Sequence, residues 1–287
     1  MKLPPITYRR AGSADEAVAL LAEAGDDAAV LAGGQSLLLE LRYGDVRRGV
    51  LVDLAGAADL AGLAVADGEL RLGALVRHAA VERLELDDPL ARLLRRAAAY
   101  VAHPPIRARG TFAGSLAWAH PAAEWCALAR ALDARMTVRG PAGEREVAAA
   151  DWFRGPHRTR RAPDEVLTAV TLPLLGAGAG VGFAELRRTS GSFALAAAGC
   201  AVHVAAGRVT RARIGLANAA GVPVRAAEAE AALVGSDGSP EAVRAAADAA
   251  AAAADPASEP HCSADYRRHA LGVLTARALT EALGEAA

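Results

Sequence analysis

Two runs of small residues carry the chemistry that is visible in the chain: A-G-G-Q-S at 32–36 and T-F-A-G-S at 111–115. In the first, one apolar run ends at Ala32 and another begins at Leu37, with only glycine, glutamine and serine between them. A backbone that turns through residues with little side chain lets successive N–H groups converge on one point, forming a nest for an anion, commonly phosphate. Gly33 and Gly34 allow close approach, while Gln35 and Ser36 add side chains that hydrogen-bond. Neither run is a G-x-G-x-x-G fingerprint or a P-loop, and each alone also fits a plain structural turn. Two such runs, about 80 residues apart, suit a ligand with two adjacent phosphates held from both sides, such as a dinucleotide diphosphate. Glu124, early in a helical run, has the chemistry to accept from a sugar or ribityl hydroxyl; it also fits a solvated helix glutamate.

Other reactive side chains have a simpler reading. His103, His120 and His157 lack a partner at metal-ligand spacing and read as hydrogen-bonded loop histidines. Trp118 and Trp125 flank the second run and read as packing between helix and sheet. Cys126, Cys200 and Cys262 are odd in number and far apart, which fits neither a disulfide framework nor a zinc site. They cannot supply the four thiolates that an iron–sulfur cluster usually needs, so any such cluster belongs to another chain. The 32 basic residues, of which Lys2 is the one lysine, are spread among 33 acidic ones, leaving no footprint for nucleic acid. With 287 residues, 53% hydrophobic, the chain has the composition of a soluble globular protein. Its N-terminus has no signal-peptide core and no segment is an apolar run of bilayer length, so the cytoplasm is the expected location and an integral membrane protein is not.

The elements that must position these residues are punctuated clearly. Ser13 and Glu16 form a capping-box pattern ahead of an apolar run at 17–21, with Gly25 as the stop. Strands are expected at 28–32 and 50–54, and Asp67-Gly68 marks a hairpin within 60–75. Helices at 76–84 and 89–100 precede a non-periodic segment at 103–125, whose length inside a compact domain points to function. A helix at 122–132, strands at 135–139 and 165–172, and a small-residue linker at 174–180 follow. Beyond the linker, strands at 181–189, 193–205 and 208–217 lead into helices at 224–234, 240–255 with Ser239 as N-cap, and 263–283.

The pair A-G-G-Q-S-L and I-R-A-R-G-T-F-A-G-S-L-A-W-A-H-P-A-A-E-W closely resembles the two flavin-binding loops of the medium, FAD-binding subunit of the molybdenum hydroxylases, the xanthine and carbon monoxide dehydrogenase family. D-W-F-R-G-P-H-R-T-R-R-A-P-D-E-V-L-T-A-V-T-L-P at 151–173 is similar to the stretch that closes the family's FAD domain, and E-P-H-C-S-A-D-Y-R-R-H-A-L-G-V-L-T-A-R-A-L at 259–279 to its last helix. The resemblance covers practically the whole chain. It implies an α+β protein: a two-subdomain FAD-binding domain of the vanillyl-alcohol-oxidase (PCMH) type at 1–176, then a C-terminal domain of three antiparallel strands and a helix bundle at 177–287.

Carried over by position, the resemblance implies that Ala32, Gly33, Gly34, Gln35, Ser36, Thr111, Phe112, Ala113, Gly114 and Ser115 hold the FAD diphosphate. Glu124 takes the ribityl-contacting acidic position, usually aspartate; Arg187 falls near the flavin, and Phe193 covers its ring. Ala113 departs from the family's usual glycine, and if that position needs a positive φ the methyl group costs about 1 kcal/mol. The implied function is electron transfer from a small 2Fe–2S subunit, beside a large molybdenum-cofactor subunit, through FAD to NAD+ or a quinone. No residue of this chain is assigned a catalytic or metal-binding role. A stand-alone FAD-dependent reductase and a non-redox nucleotide-binding module are the alternatives.

Overall fold

The computed structural model describes residues 5–286; the N-terminal reading at 1–4, Lys2 included, lies outside them. The chain begins with β1 (Thr7–Arg10), α1 (Ala14–Ala24), β2 (Ala28–Leu31), α2 (Leu37–Tyr43) and β3 (Val50–Asp53). The three strands are parallel in the order β1-β3-β2. Helix α1 starts where the sequence predicts a cap: Ser13 Oγ accepts from Glu16 N at 3.1 Å, Glu16 Oε2 accepts from Gly12 N at 2.7 Å, and Ala17, Val18 and Leu21 are buried. Strand β1, T-Y-R-R, is exposed throughout and shows no apolar alternation; its pairing with β3 is tertiary and has no local signal.

A second sheet is antiparallel, in the order β4-β5-β10-β6-β7. It comprises β4 (Leu63–Ala66), β5 (Glu69–Gly73), β6 (Arg135–Gly140), β7 (Gly143–Ala148) and β10 (Val166–Pro173), with a small ribbon of β8 (Phe153–Gly155) and β9 (Arg158–Thr159) beside it. Between β5 and β6 run α3 (His78–Glu82), α4 (Pro89–Ala98), α5 (Pro104–Arg107), α6 (Phe112–Trp118) and α7 (Glu124–Ala131); α8 (Ala149–Trp152) follows β7. The segment read as irregular at 103–125 thus contains two helices, α5 and α6, and the start of a third. The first two have only four and seven residues, too short to display a helical period.

The C-terminal sheet consists of β11 (Ala179–Arg187), β12 (Ala194–Ala205), β13 (Arg208–Ala217) and β14 (Val224–Arg225), all antiparallel, with α9 (Ala227–Leu233), α10 (Pro240–Ala252) and α11 (Ala264–Ala286). The expected helix at 224–234 therefore opens with a two-residue fourth strand, because Val224 and Arg225 pair with β13. Both faces of this sheet are buried. Ala197 and Ala201 of β12 join the core shared with α4 and α7, while Ala196, Ala198, Cys200 and Val202 pack under Leu271, Leu274 and Leu279 of α11. That double burial is why β12 reads as a continuous small apolar run. The predicted linker is tied down: Leu175 N and Gly176 N donate to the carboxylate of Asp88, the N-cap of α4, at 3.1 and 2.9 Å, and β11 begins inside it at Ala179.

Candidate functional site

A cavity of about 640 Å³, within the usual size of a small-molecule site, is lined by both small-residue runs and by the tip of the β11–β12 hairpin. Ala32, Gly33, Gly34, Gln35 and Ser36 line it from one side and Thr111, Ala113, Gly114 and Ser115 from the other, joined by Glu124 and Phe193.

The first run leaves β2 and enters α2. Gly34 sits at φ 72°, a left-handed conformation suited to glycine, and Gln35 Nε2 folds back to donate to Gly33 O at 3.2 Å. Ser36 occupies the N-cap of α2, yet its side chain caps nothing. Among the described residues, the backbone N–H groups of Gly33, Gly34, Gln35, Ser36 and Leu37 find no protein acceptor. Five consecutive unpaired donors lining a cavity need acceptors from what fills it.

The second run is a helix start. Thr111 is the N-cap of α6, and its Oγ1 accepts from Gly114 N at 2.9 Å. Phe112 N donates to Val76 O and Ser115 N to Thr111 O, which leaves the N–H groups of Thr111 and Ala113 unpaired among the described residues. Ala113 lies in the first turn of α6 and is absent from the positive-φ positions, so the strain expected of alanine there does not arise. Phe112 is also displaced from its expected role: it is fully buried against the Trp125 ring, 4.9 Å between centroids, and does not line the cavity.

The two runs touch each other. A Cβ on Gly33 would lie 2.5 Å from Arg109 O and 2.7 Å from Gly110 Cα, so glycine is required there by backbone-to-backbone contact. Trp118 Nε1 donates to Glu40 Oε1 at 2.7 Å, clamping the end of α6 to α2, and both residues line the cavity. Trp118 is thus part of the site, whereas Trp125 is core, as expected. Arg48 and Arg161 also line the cavity, the guanidinium of Arg161 held by Ala162 O and Glu165 O at 2.8 and 2.6 Å and that of Arg48 by Arg47 O at 2.7 Å; no local signal distinguishes them from the other arginines.

Glu124 begins α7 and is 4% exposed, so it is no solvated helix glutamate. Burial pushes its carboxyl well above the ordinary range, opposed by the charge of Arg187. Glu185, two residues before Arg187 on β11, has both carboxyl oxygens buried without a partner among the described residues. Burial, then the charge of Glu124, pushes it up to about 9. Two desolvated carboxyls, one of them raised further by the charge of the other, hold at least one proton between them at neutral pH. Arg187 does not line the cavity: its guanidinium donates to Tyr100 O at 3.0 Å and lies 5.1 Å from the Tyr100 ring centroid.

Phe193, at the hairpin tip, is 48% exposed and stacks on His120, 4.2 Å between centroids at 12°. Trp118 stands 5.6 Å from Phe193 and 4.8 Å from His157, so three residues read separately in the sequence form one aromatic wall with Phe193. Burial first, then the charge of His157, lowers His120 to about 4, and its Nδ1 accepts from Ala122 N at 3.1 Å. His103 packs against Gly191 of the same tip. Among the described residues no group of three His, Cys, Asp or Glu side chains is arranged to hold a metal ion, and no helix is long and apolar enough to cross a membrane.

Cavity size, seven unpaired amides from two runs and an aromatic wall together fit a ligand with a diphosphate at one part and a planar ring at another. Known proteins agree with this. The family described as FAD binding domain in molybdopterin dehydrogenase matches residues 4–175, and the CO dehydrogenase flavoprotein C-terminal domain matches 182–282. The chain is 37% identical, over 100% of its length and 97% of the relative's, to the 6-hydroxypseudooxynicotine dehydrogenase complex subunit alpha of Paenarthrobacter nicotinovorans. Among solved structures it matches a carbon monoxide dehydrogenase from Hydrogenophaga pseudoflava with a TM-score of 0.97 at 35% identity, covering 100% of both chains. Quinoline 2-oxidoreductase from Pseudomonas putida 86 matches with a TM-score of 0.93 at 34% identity, over 100% of this chain and 99% of that one.

Proposed function

The chain belongs to the FAD-binding medium subunits of the molybdenum hydroxylases, a flavoprotein component of multi-subunit dehydrogenases, and from that membership we propose that it relays electrons from a partner's iron–sulfur cluster to NAD+ or a quinone. When bound, FAD supplies the exchange between single electrons arriving from the cluster and an electron pair leaving to the acceptor. The partners in this reading are a small 2Fe–2S subunit and a large molybdenum-cofactor subunit that binds the organic substrate, assembled in the cytoplasm. Carbon monoxide dehydrogenase relatives are themselves named as medium chains.

Within the chain, the observation that carries the reading is the convergence of unpaired amides from both runs on one cavity. Gly33 to Leu37, with Thr111 and Ala113, hold the diphosphate, and Gly33 keeps the two runs in register. Glu124 meets the ribityl chain. Phe193, backed by His120 and Trp118, covers the isoalloxazine ring and keeps water off that face. Arg187, anchored on Tyr100, acts from behind Glu124 by setting how tightly the Glu124–Glu185 pair holds its proton. The domain division that accompanies this reading is 1–176 for FAD binding and 177–287 for the C-terminal domain.

Reconstitution tests the proposal. The purified chain should carry about one reducible FAD, oxidise no aldehyde, purine or N-heterocycle alone, and support turnover once the iron–sulfur and molybdenum subunits are added. Turnover by the chain alone would replace the subunit with a stand-alone reductase, and a folded chain with no flavin absorbance would leave only a non-redox binding module.

A further inference from the structure

We propose that His78 is a further cofactor-contacting residue, an imidazole held in a single tautomer by Trp125 so that its Nε2–H donates to a diphosphate oxygen where the two small-residue runs meet. The proposal rests on reading the cavity as the diphosphate site.

The tautomer follows from the partner. An indole N–H can only donate, and Trp125 Nε1 lies 3.0 Å from His78 Nδ1. Nδ1 must therefore present its lone pair, and the one proton of the neutral ring sits on Nε2. Trp125 is fully buried on α7 and wedged against Phe112, so the donor cannot swing away. A second proton on His78 would set N–H against N–H, which disfavours the imidazolium even beside an anion. Burial, followed by the charges of Arg107 and Arg77, pushes His78 down to about 4, in the same direction.

The placement sets the remaining donor beside the second run, at the edge of the cavity. His78 N donates to Gly110 O at 3.0 Å, which fixes the residue beside the second run. A Cβ built on Gly110 would lie 2.8 Å from His78 Nε2, and one built on Gly33 would lie 2.7 Å from Gly110 Cα. Ring, second run and first run thus form one contiguous stack. His78 is 6% exposed and lines the cavity, and Nε2 has no protein acceptor among the described residues. A donor without a protein acceptor on a residue that lines the cavity is available to a ligand there. The bridging and terminal oxygens of a diphosphate are acceptors only, which matches an Nε2 that can only donate.

The test compares His78→Phe with His78→Gln, using flavin fluorescence to follow FAD binding to the apo chain. Both variants remove the Nδ1 acceptor of Trp125, but the glutamine amide can return an N–H to the position of Nε2. FAD affinity should fall roughly ten- to a hundredfold in His78→Phe and recover to within about threefold of wild type in His78→Gln. Riboflavin, which has no diphosphate, should bind wild type and His78→Phe alike. Equal FAD affinity in wild type and His78→Phe would overturn the contact while leaving the FAD site intact. An equal loss for riboflavin would move the contact off the diphosphate and overturn the assignment. A wild-type chain that binds no FAD would overturn the reading of the cavity itself. If His78→Phe does not fold, the ring 15N shifts of His78 in the wild-type protein with FAD decide: an Nε2-protonated neutral ring is expected, and an Nδ1–H tautomer or an imidazolium overturns the proposal.

Discussion

The two runs that line the cavity act through backbone, whereas the nearby pair Glu124 and Glu185 acts through buried side chains, and the two obey different rules. Along 32–37 and 111–115 the donors are amide N–H groups that every residue except proline carries, so residue type matters there only through the room it leaves. At the start of α7 and on β11 the active groups are the carboxyls of Glu124 and Glu185, and their state is set first by burial, with the charge of Glu124 adding to it at Glu185. A backbone wall fails when something is added to it. A seam of buried carboxyls changes when a charge is removed.

The sharpest way to break the backbone wall is Gly33→Val. Its Cβ would overlap Arg109 O and Gly110 Cα, both main-chain atoms that no rotamer change can move. Overpacking of this kind costs about 1 to 3 kcal/mol of stability, and separating the runs should lower FAD affinity by more than roughly a hundredfold, since several charge-assisted hydrogen bonds are lost together. Flavin content after gel filtration and the unfolding midpoint of the apo chain measure the two effects. Full flavin content in folded Gly33→Val would show that contact between the runs does not set the site. Gly34→Val is a poorer probe, because φ 72° strains any side chain whether or not a ligand is present.

The seam should respond in the opposite sense to Glu185→Gln. The folded-state value of Glu185 is raised from the ordinary 4.5 to about 9, so the folded chain binds this proton more tightly than the unfolded chain does. Its destabilising contribution is therefore absent below about pH 4.5 and accumulates as the pH rises toward about 9. Removing the ionisable group should leave stability nearly unchanged at pH 4.5 and raise it by about 1 to 3 kcal/mol at pH 9, the scale of one buried unsatisfied polar group. Urea unfolding at those two pH values measures the difference. A gain that is the same at both would mean that Glu185 does not titrate in this window.

The same contrast explains what the sequence could reveal. The backbone wall was legible because consecutive amides need consecutive small residues, and A-G-G-Q-S and T-F-A-G-S are local patterns. So were α1, through Ser13 and Glu16, and the long strands of the C-terminal sheet. The seam was not legible, because Glu124 and Glu185 meet only when β11 packs on the first half of the chain. The Glu40–Trp118 clamp and the Trp125–His78 bond likewise join residues distant in sequence and carry no spacing signal. Glu124 is singled out by its place early in a helical run and Arg187 by resemblance, but neither the burial of the first nor the attachment of the second to Tyr100 could be read from the sequence. Short or exposed elements were missed for a simpler reason. Strand β7, G-E-R-E-V-A, has one buried side chain, and α6 makes barely two turns, so neither displays a full period.

The smallest expected effect refines the backbone wall from within. The resemblance sets Ala113 at a position it reads as glycine, and a left-handed backbone there would predict tighter FAD binding from Ala113→Gly. The structure instead puts Ala113 in the first turn of α6, with its methyl group 2% exposed in the core. Glycine there would loosen the helix start by up to about 1 kcal/mol through backbone entropy and give the diphosphate nothing new, since the N–H is already unpaired. FAD affinity should thus stay within about twofold of wild type while the unfolding midpoint drops slightly, the former being too small to involve a lost hydrogen bond. A gain of tenfold or more in FAD affinity would mean that this backbone leaves the helical region when the cofactor binds. The second run would then be a left-handed turn like the first, and Thr111 would no longer serve as the cap of α6.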